Sequence, residues 1–213
     1  MFLIYRILLN LIFILSPLII FIRLIKKKEH LTRFREKFCF YTQKKITGKL
    51  IWFHGASVGE ILSVIPLIEK LEKNKKINQI LITSNTLSSS KIISNLKLKK
   101  TIHQFFPIDT TFMVKKFLSY WRPSHIIFID SEIWPNMIVN ISKKSISLIL
   151  LNARITKKSF NRWKKIISNT RNLFKKFDLC LPCDASTHKY LRLLGAKKIK
   201  YIGNLKFSQS EQI

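Results

Sequence analysis

Carboxylates are scarce in this 213-residue chain: 11 Asp and Glu stand against 39 Lys and Arg, a formal net charge of +28. Such a balance points to anionic partners, whether nucleic acid, anionic lipid or a phosphorylated substrate. The richness in Lys, Ile and Asn also fits a genome biased toward A and T, which scatters lysines over a surface without a ligand to match. Cysteine is sparse too. Cys39, Cys180 and Cys183 are too few for a disulfide framework and fit a reducing, cytosolic environment. Cys180-Leu-Pro-Cys183 has the spacing of a redox pair, but it closes a late apolar run, Phe177 to Cys183, where a redox pair opens a helix after an early strand. With only His188 nearby, zinc lacks its four ligands. Two small buried residues ending a strand are the simpler reading. Low-complexity linkers and internal repeats are missing, and a hydrophobic share of 47% excludes disorder.

What is present begins with an apolar N-terminus, Met1 to Ile22, broken only by Arg6, Asn10 and Pro17 and followed by Arg23, Lys26, Lys27 and Lys28. A signal peptide carries its charge before the apolar stretch and a small-residue cleavage site after it, which is the reverse of this arrangement. Residues 1–25 therefore read as an anchor helix, either spanning or lying in the interface, with the basic flank of residues 26–49 on the cytoplasmic side. From Leu50 onward, short apolar runs alternate with amphipathic stretches. Strands are expected at Leu50–His54, Gln79–Ser84, Thr101–Phe106, His125–Ile129, Ile146–Leu151, Leu179–Leu181 and Ile199–Ile202. Helices are expected at Val58–Lys73, Ser88–Leu96, Thr111–Trp121, Trp134–Ser142, Lys157–Phe177 and Ala185–Leu194, with a hinge at Lys44–Lys49. The alternation implies an α/β fold, a Rossmann-like doubly wound parallel sheet over residues 50–207. In such sheets ligands bind at the carboxyl ends of the strands, so the loops there should converge on one cleft.

Two of those loops carry chemistry. His54-Gly55-Ala56-Ser57-Val58-Gly59-Glu60 is neither a P-loop nor a GxGxxG fingerprint. Ser57 and Glu60 fit a capping box at the start of a helix. The same position suits a general base: the helix dipole favours an ionised Glu60, which faces the cleft and can take a proton from an attacking hydroxyl. In Asp130-Ser131-Glu132-Ile133-Trp134-Pro135-Asn136, two carboxylates follow a strand and an aromatic-Pro pair opens a helix. The acids either suit a helix N-terminus or, beside Trp134, a sugar.

Taken together, His54 to Glu60, Asp130 to Asn136, Asn152-Ala153-Arg154 and Gly203-Asn204-Leu205-Lys206-Phe207, with Arg35-Glu36-Lys37-Phe38 ahead of them, resemble the motifs of the 3-deoxy-D-manno-octulosonic acid (Kdo) transferases of lipopolysaccharide synthesis, in order and spacing. The resemblance implies the N-terminal, acceptor-binding domain of a GT-B glycosyltransferase. It implies transfer of Kdo from CMP-Kdo to the bis-phosphorylated lipid A precursor, lipid IVA, by an inverting displacement without metal or cofactor, at the cytoplasmic face of the inner membrane. Glu60 takes the role of general base, and Ser57, Gly59, Asp130, Glu132, Trp134, Asn152 and Arg154 that of substrate contacts. The implied partners are the lipid A precursor and anionic membrane lipids, with no nucleic acid. Asp130 stands where the family usually has Glu, and Thr86-Leu87-Ser88-Ser89-Ser90 lacks the family's Pro and Gly. Residues 208–213 are expected to begin an interdomain linker, with the C-terminal donor domain absent from this chain. A non-catalytic acceptor-binding remnant of the enzyme is the alternative.

Overall fold

The computed structural model describes residues 2–96 and 98–205. Lys206 and Phe207 of the last motif, and the 208–213 segment, lie outside the described residues. Strands β1 (Leu50–His54), β2 (Gln79–Ser84), β3 (Thr101–Phe105), β4 (His125–Ile129), β5 (Ser147–Ala153) and β6 (Leu179–Pro182) form one parallel sheet in the order β3-β2-β1-β4-β5-β6. This is a doubly wound sheet whose direction of winding reverses between β1 and β4. The helices are α1 (Phe2–Ile25), α2 (Val58–Glu72), α3 (Leu87–Asn95), α4 (Thr111–Trp121), α5 (Pro135–Lys143), α6 (Lys157–Lys164), α7 (Ile167–Phe174) and α8 (Ala185–Leu193). A 3-10 turn, Arg33–Phe38, precedes β1.

Local chemistry accounts for these elements. Ser57, Thr86, Thr110, Thr156 and Asp184 each cap a helix by accepting the backbone N–H three residues on. Along the strands, successive side chains point to opposite faces. Leu50 and Trp52 join Leu81, Ile126 and Phe128 under α4, α5, α7 and α8, whereas Ile51 and Phe53 join Ile80, Ile82, Ile127 and Ile129 under α2 and α3. Both faces are covered, so the strands are apolar on both sides. Each buried Ile, Leu or Phe contributes about 1.5–3 kcal/mol.

The structure departs from the expected elements in three places. The single helix expected over Lys157–Phe177 is two, because Thr170 donates its hydroxyl to the Trp163 and Ile166 carbonyls and the chain turns at Ile166 (φ −131°, ψ 39°). The strand expected at Ile199–Ile202 is one bridge, Ile199 to Cys180. Beyond it Gly203, at φ 82°, turns the chain, and the Leu205 N–H reaches Asn152 Oδ1. The hinge expected at 44–49 is tied down: Gln79 bonds the Ile46 N–H and the Lys44 carbonyl, and Asn78 bonds the Lys49 N–H.

Segment 26–49 packs on the sheet domain. Glu36 is fully buried, accepts both Arg33 nitrogens at 2.7 and 3.1 Å, and accepts the Phe105 N–H at the end of β3. Helix α1 lies lengthwise on the same domain. Tyr5 donates to Asp109 (2.7 Å) and Arg6 to Asn136 (3.1 Å) near one end, Phe13 meets Phe38 in the middle, and Arg23 pairs with Glu29 (3.0 Å) at the other. Tyr5 to Arg23 is about 27 Å of helix at 1.5 Å per residue. The outward side of α1 leaves Leu3, Ile7, Leu11, Ile14, Leu18 and Phe21 exposed.

Candidate active site

Strand β1 delivers the first loop. Gly55 lies where α2 meets the sheet: a Cβ there would sit a tight 3.1 Å from Glu60 Cβ and from Ile61 Cδ1, so any larger residue would press on the start of α2. At Gly59, by contrast, a Cβ would meet nothing within 4 Å, and that face of the first turn stays open. Glu60 is held on both oxygens, Oε1 accepting the Ser57 hydroxyl (2.7 Å) and Oε2 the Ala56 N–H (2.8 Å). Ser57 Oγ in turn accepts the Glu60 N–H at 3.4 Å. The capping box is present in a shifted form, its carboxylate reaching one residue further back than the cap's own N–H.

The dipole argument for an ionised Glu60 is corrected by its surroundings. Burial raises its proton affinity above the ordinary carboxylate range, and the negative charges of Glu132 and Asp130 add to that, against the lowering effect of Ser57 and Ala56. A carboxylate with raised proton affinity is a stronger base than a free one, which suits it to accept a hydroxyl proton.

Strand β4 delivers the second loop from the adjacent position. Asp130 is in the left-handed region (φ 59°), turned by its N–H to Leu151 O and by its carbonyl, which accepts the Arg154 N–H. That turn separates the two acids. Asp130 accepts the Ser131 hydroxyl at 3.1 Å, while Glu132 points back under the sheet edge. There Glu132 Oε2 accepts Trp134 Nε1 at 2.7 Å and lies 2.9 Å from His54 Nε2. The His54 approach is within ion-pair reach but off the line that a straight N–H···O bond needs. His54 is fully buried, stacked at 3.8 Å on Phe106 and braced at Nδ1 by Thr83 Oγ1 at 3.0 Å. This clamp was not expected from the motifs. His54 and Glu132 meet because β1 and β4 pair with His54 opposite Phe128, four residues before Glu132.

The β5 loop completes the rim. Asn152 is buried and holds Leu205 by its side chain, so it faces the 203–205 segment. Arg154 is exposed and borders, with Asp130 and Ser131, a pocket of about 260 Å³. Glu60, Asp130, Glu132, Trp134 and Arg154 thus gather where the sheet's winding reverses, with Ser57 and Gly59 on the open first turn of α2. A larger groove of about 490 Å³, between α1 and Phe34 and Phe38, is lined by none of them. Asp109, in the loop after β3 at the same end of the sheet, supports the cluster from behind. It accepts the Asn136 and Met137 N–H groups at the start of α5, a cap supplied from the β3–α4 loop.

Comparison with known proteins gives this arrangement a family. Residues 32–209 match the family model described as 3-deoxy-D-manno-octulosonic-acid transferase (kdotransferase). A probable mitochondrial Kdo transferase of Arabidopsis thaliana is 36% identical over 96% of this chain and 47% of its own length. The Kdo transferase of Rickettsia bellii is 37% identical over 93% of the chain and 48% of its own, and that of Haemophilus influenzae 28% identical over 93% and 48%. The chain thus spans about half the length of these relatives. Among solved structures, UDP-N-acetylglucosamine 2-epimerase from Rickettsia bellii superposes with a TM-score of 0.55 at 13% identity, covering 78% of this chain and 47% of the epimerase, a likeness of fold alone. With the family model covering most of its length, the chain belongs to the 3-deoxy-D-manno-octulosonic acid transferase family of glycosyltransferases.

Proposed function

We propose that this chain forms the acceptor-binding half of an enzyme that transfers Kdo from CMP-Kdo to lipid IVA, with Glu60 as general base. The observation that carries it is the half-buried Glu60 carboxylate, of raised proton affinity, on the open first turn of α2 at the sheet's switch point. As the acceptor hydroxyl attacks the anomeric carbon of Kdo, its proton passes to Glu60. The bond from that carbon to the CMP phosphate oxygen breaks, and its electron pair leaves with CMP. The configuration inverts, and no metal takes part. Asp130, Glu132, Trp134 and Arg154 line the acceptor's approach, and the donor is held by a second domain. The reaction takes place at the cytoplasmic face of the inner membrane, on which α1 rests its exposed apolar side.

The test gives the purified chain labelled CMP-Kdo and lipid IVA, alone and joined to a donor-binding half. Labelled lipid is expected from the joined protein. Glu60→Gln should lower that transfer by about 10²–10⁴-fold, the usual worth of a positioned base. The melting temperature should barely move, because a glutamine oxygen still accepts the Ala56 N–H. Transfer that survives Glu60→Gln would remove Glu60 from this role; no transfer from the joined wild-type protein, beside an active relative, would remove the reaction.

A further inference from the structure

Two cavities share a wall beside the candidate site, and their linings differ in kind. The first, of about 260 Å³, is mixed in character, with Asp130, Ser131, Arg154, Ser159 and Arg162 supplying its polar part. The second, of about 340 Å³, is almost wholly apolar and lies between α1, α5 and α7, bordered by Tyr5, Pro135, Ile166 and Asn169. Ile133 and Trp163 line both. Two guanidinium groups and one carboxylate line the first cavity, which leaves the lining net positive, although Arg154 also interacts with Asp184 and Cys183 beside it. Its surroundings reinforce that sign: Ile155 to Phe177 contains eight Lys or Arg and no Asp or Glu. Arg162 is oriented by the Ser159 hydroxyl at 3.3 Å, which is itself fixed by Thr156 at 3.1 Å. Arg is suited to such a position because its planar fork matches phosphate oxygens two at a time.

We propose that the two cavities form one bipartite site for an acylated phosphate, with the phosphate on Arg154 and Arg162 and the acyl chain passing Trp163 into the apolar cavity beside Tyr5. The geometry links the two ends of such a ligand to the two things it must meet. Asp130, at the phosphate end, is close enough to Glu60 to raise its proton affinity. Tyr5, at the acyl end, belongs to α1, whose other side is exposed and apolar, so the chain enters from the direction in which a lipid layer would lie. Neither cavity suffices alone. A free phosphate leaves the apolar half empty, and a neutral amphiphile brings no anion to the two guanidinium groups. The proposal places the acceptor of the function proposed above and rests on that reading for its biological sense, though not for its test.

That test is equilibrium binding to the whole chain in neutral detergent, by calorimetry, with three probes: dodecyl phosphate, inorganic phosphate and dodecanol. Dodecyl phosphate should bind at least tenfold tighter than either of the others, since each tenfold is about 1.4 kcal/mol and several methylenes leave water. Arg162→Gln should weaken dodecyl phosphate by about tenfold, the worth of one charge-assisted hydrogen bond. Asn169→Trp, which fills the apolar cavity, should weaken dodecyl phosphate and leave inorganic phosphate unchanged. Circular dichroism melting identifies any variant that fails to fold, and Arg162→Lys and Asn169→Phe then replace it. Dodecyl phosphate that binds no tighter than inorganic phosphate, or equally to wild type and both variants, overturns the bipartite site. Because none of the probes carries a sugar or needs a donor, these results stand whether or not transfer occurs. Conversely, undiminished Kdo transfer by the joined Asn169→Trp protein would overturn the subsite and leave the reaction intact.

Discussion

Glu60 illustrates how a single side chain can hold two roles that its neighbourhood makes compatible. One oxygen fixes Ser57 and the other the Ala56 N–H, so its position is set before any ligand arrives. Its proton affinity is raised first by burial, lowered by the Ser57 hydroxyl and the Ala56 N–H, and raised again by the charges of Glu132 and Asp130. The charge of Glu132 can be removed without disturbing the burial or those two hydrogen bonds. Glu132→Gln keeps an acceptor for Trp134 Nε1, keeps the volume, and removes one negative charge. A base with raised proton affinity loses activity as pH falls through a value above the ordinary carboxylate range. Removing a neighbouring negative charge lowers that affinity, so the acidic limb of the transfer profile should move to lower pH in Glu132→Gln. The same displacement should appear in a carbon-13 titration of the Glu60 carboxyl, which needs no substrate. An unmoved titration would mean that Glu132 positions Trp134 and His54 and does not act through its charge.

At the scale of elements, β1, β2, β4 and α4 carry the bounds that the residues announce, because their apolar runs are bounded by Gly55, Asn85, Pro123 and Asp130 and α4 starts at the capping Thr110. The loops at Gly55–Glu60 and Asp130–Trp134 were legible for the same reason. What could not be read are features that depend on residues far apart in the chain. The His54–Glu132 approach rests on the register of β1 against β4; the break between α6 and α7 is local but turns on the orientation of one hydroxyl, that of Thr170. The Asp109 cap belongs with the long-range features, since a loop after β3 caps a helix after β4. Burial pushes the Asp109 carboxyl up to about 7, despite donors from Tyr5, Asn136 and Met137. Its unfolded value is the ordinary 3.8. A carboxyl that binds its proton more tightly when folded contributes stability that is fully present below about pH 4 and is lost as pH rises through about 7. The ceiling is on the order of 4 kcal/mol, at about 1.4 kcal/mol per pH unit. Urea unfolding of wild type should therefore weaken between pH 5 and 8 relative to Asp109→Asn, which cannot titrate. A constant difference between the two across that range would mean that the three donors hold Asp109 ionised throughout.

At the scale of the whole molecule, the placement of α1 would decide how the membrane contact proposed above is made. By length and hydropathy the helix could cross one, since Leu3–Ile25 has a mean hydropathy of 2.5. Its contacts argue otherwise. A spanning helix can keep only one end at the sheet domain, but α1 is bonded to it through Tyr5 and Arg6 near its start and to the 26–49 segment packed on it through Phe13 with Phe38 midway and Arg23 with Glu29 near its end. Pulling the first turn away would strip the buried Asp109 of the Tyr5 hydroxyl and Asn136 of Arg6. Lying flat keeps those bonds and still buries the outward Leu and Ile side chains among acyl chains, with Lys26, Lys27 and Lys28 at headgroup level. The two arrangements differ in where the ends of the helix emerge. Cys39, Cys180 and Cys183 are buried and free, so a new surface cysteine can be labelled against a low background. Leu3→Cys and Ile25→Cys lie at exposed positions at opposite ends of α1. Each is labelled with the fluorophore NBD before insertion into sealed vesicles carrying the sheet domain outside; dithionite, which does not cross the bilayer, should then bleach both from the outer leaflet, and opening the vesicles with detergent should add little to either. Bleaching of the Leu3→Cys label only after the vesicles are opened would mean that the helix crosses the bilayer and that the Tyr5–Asp109 bond is given up when it does.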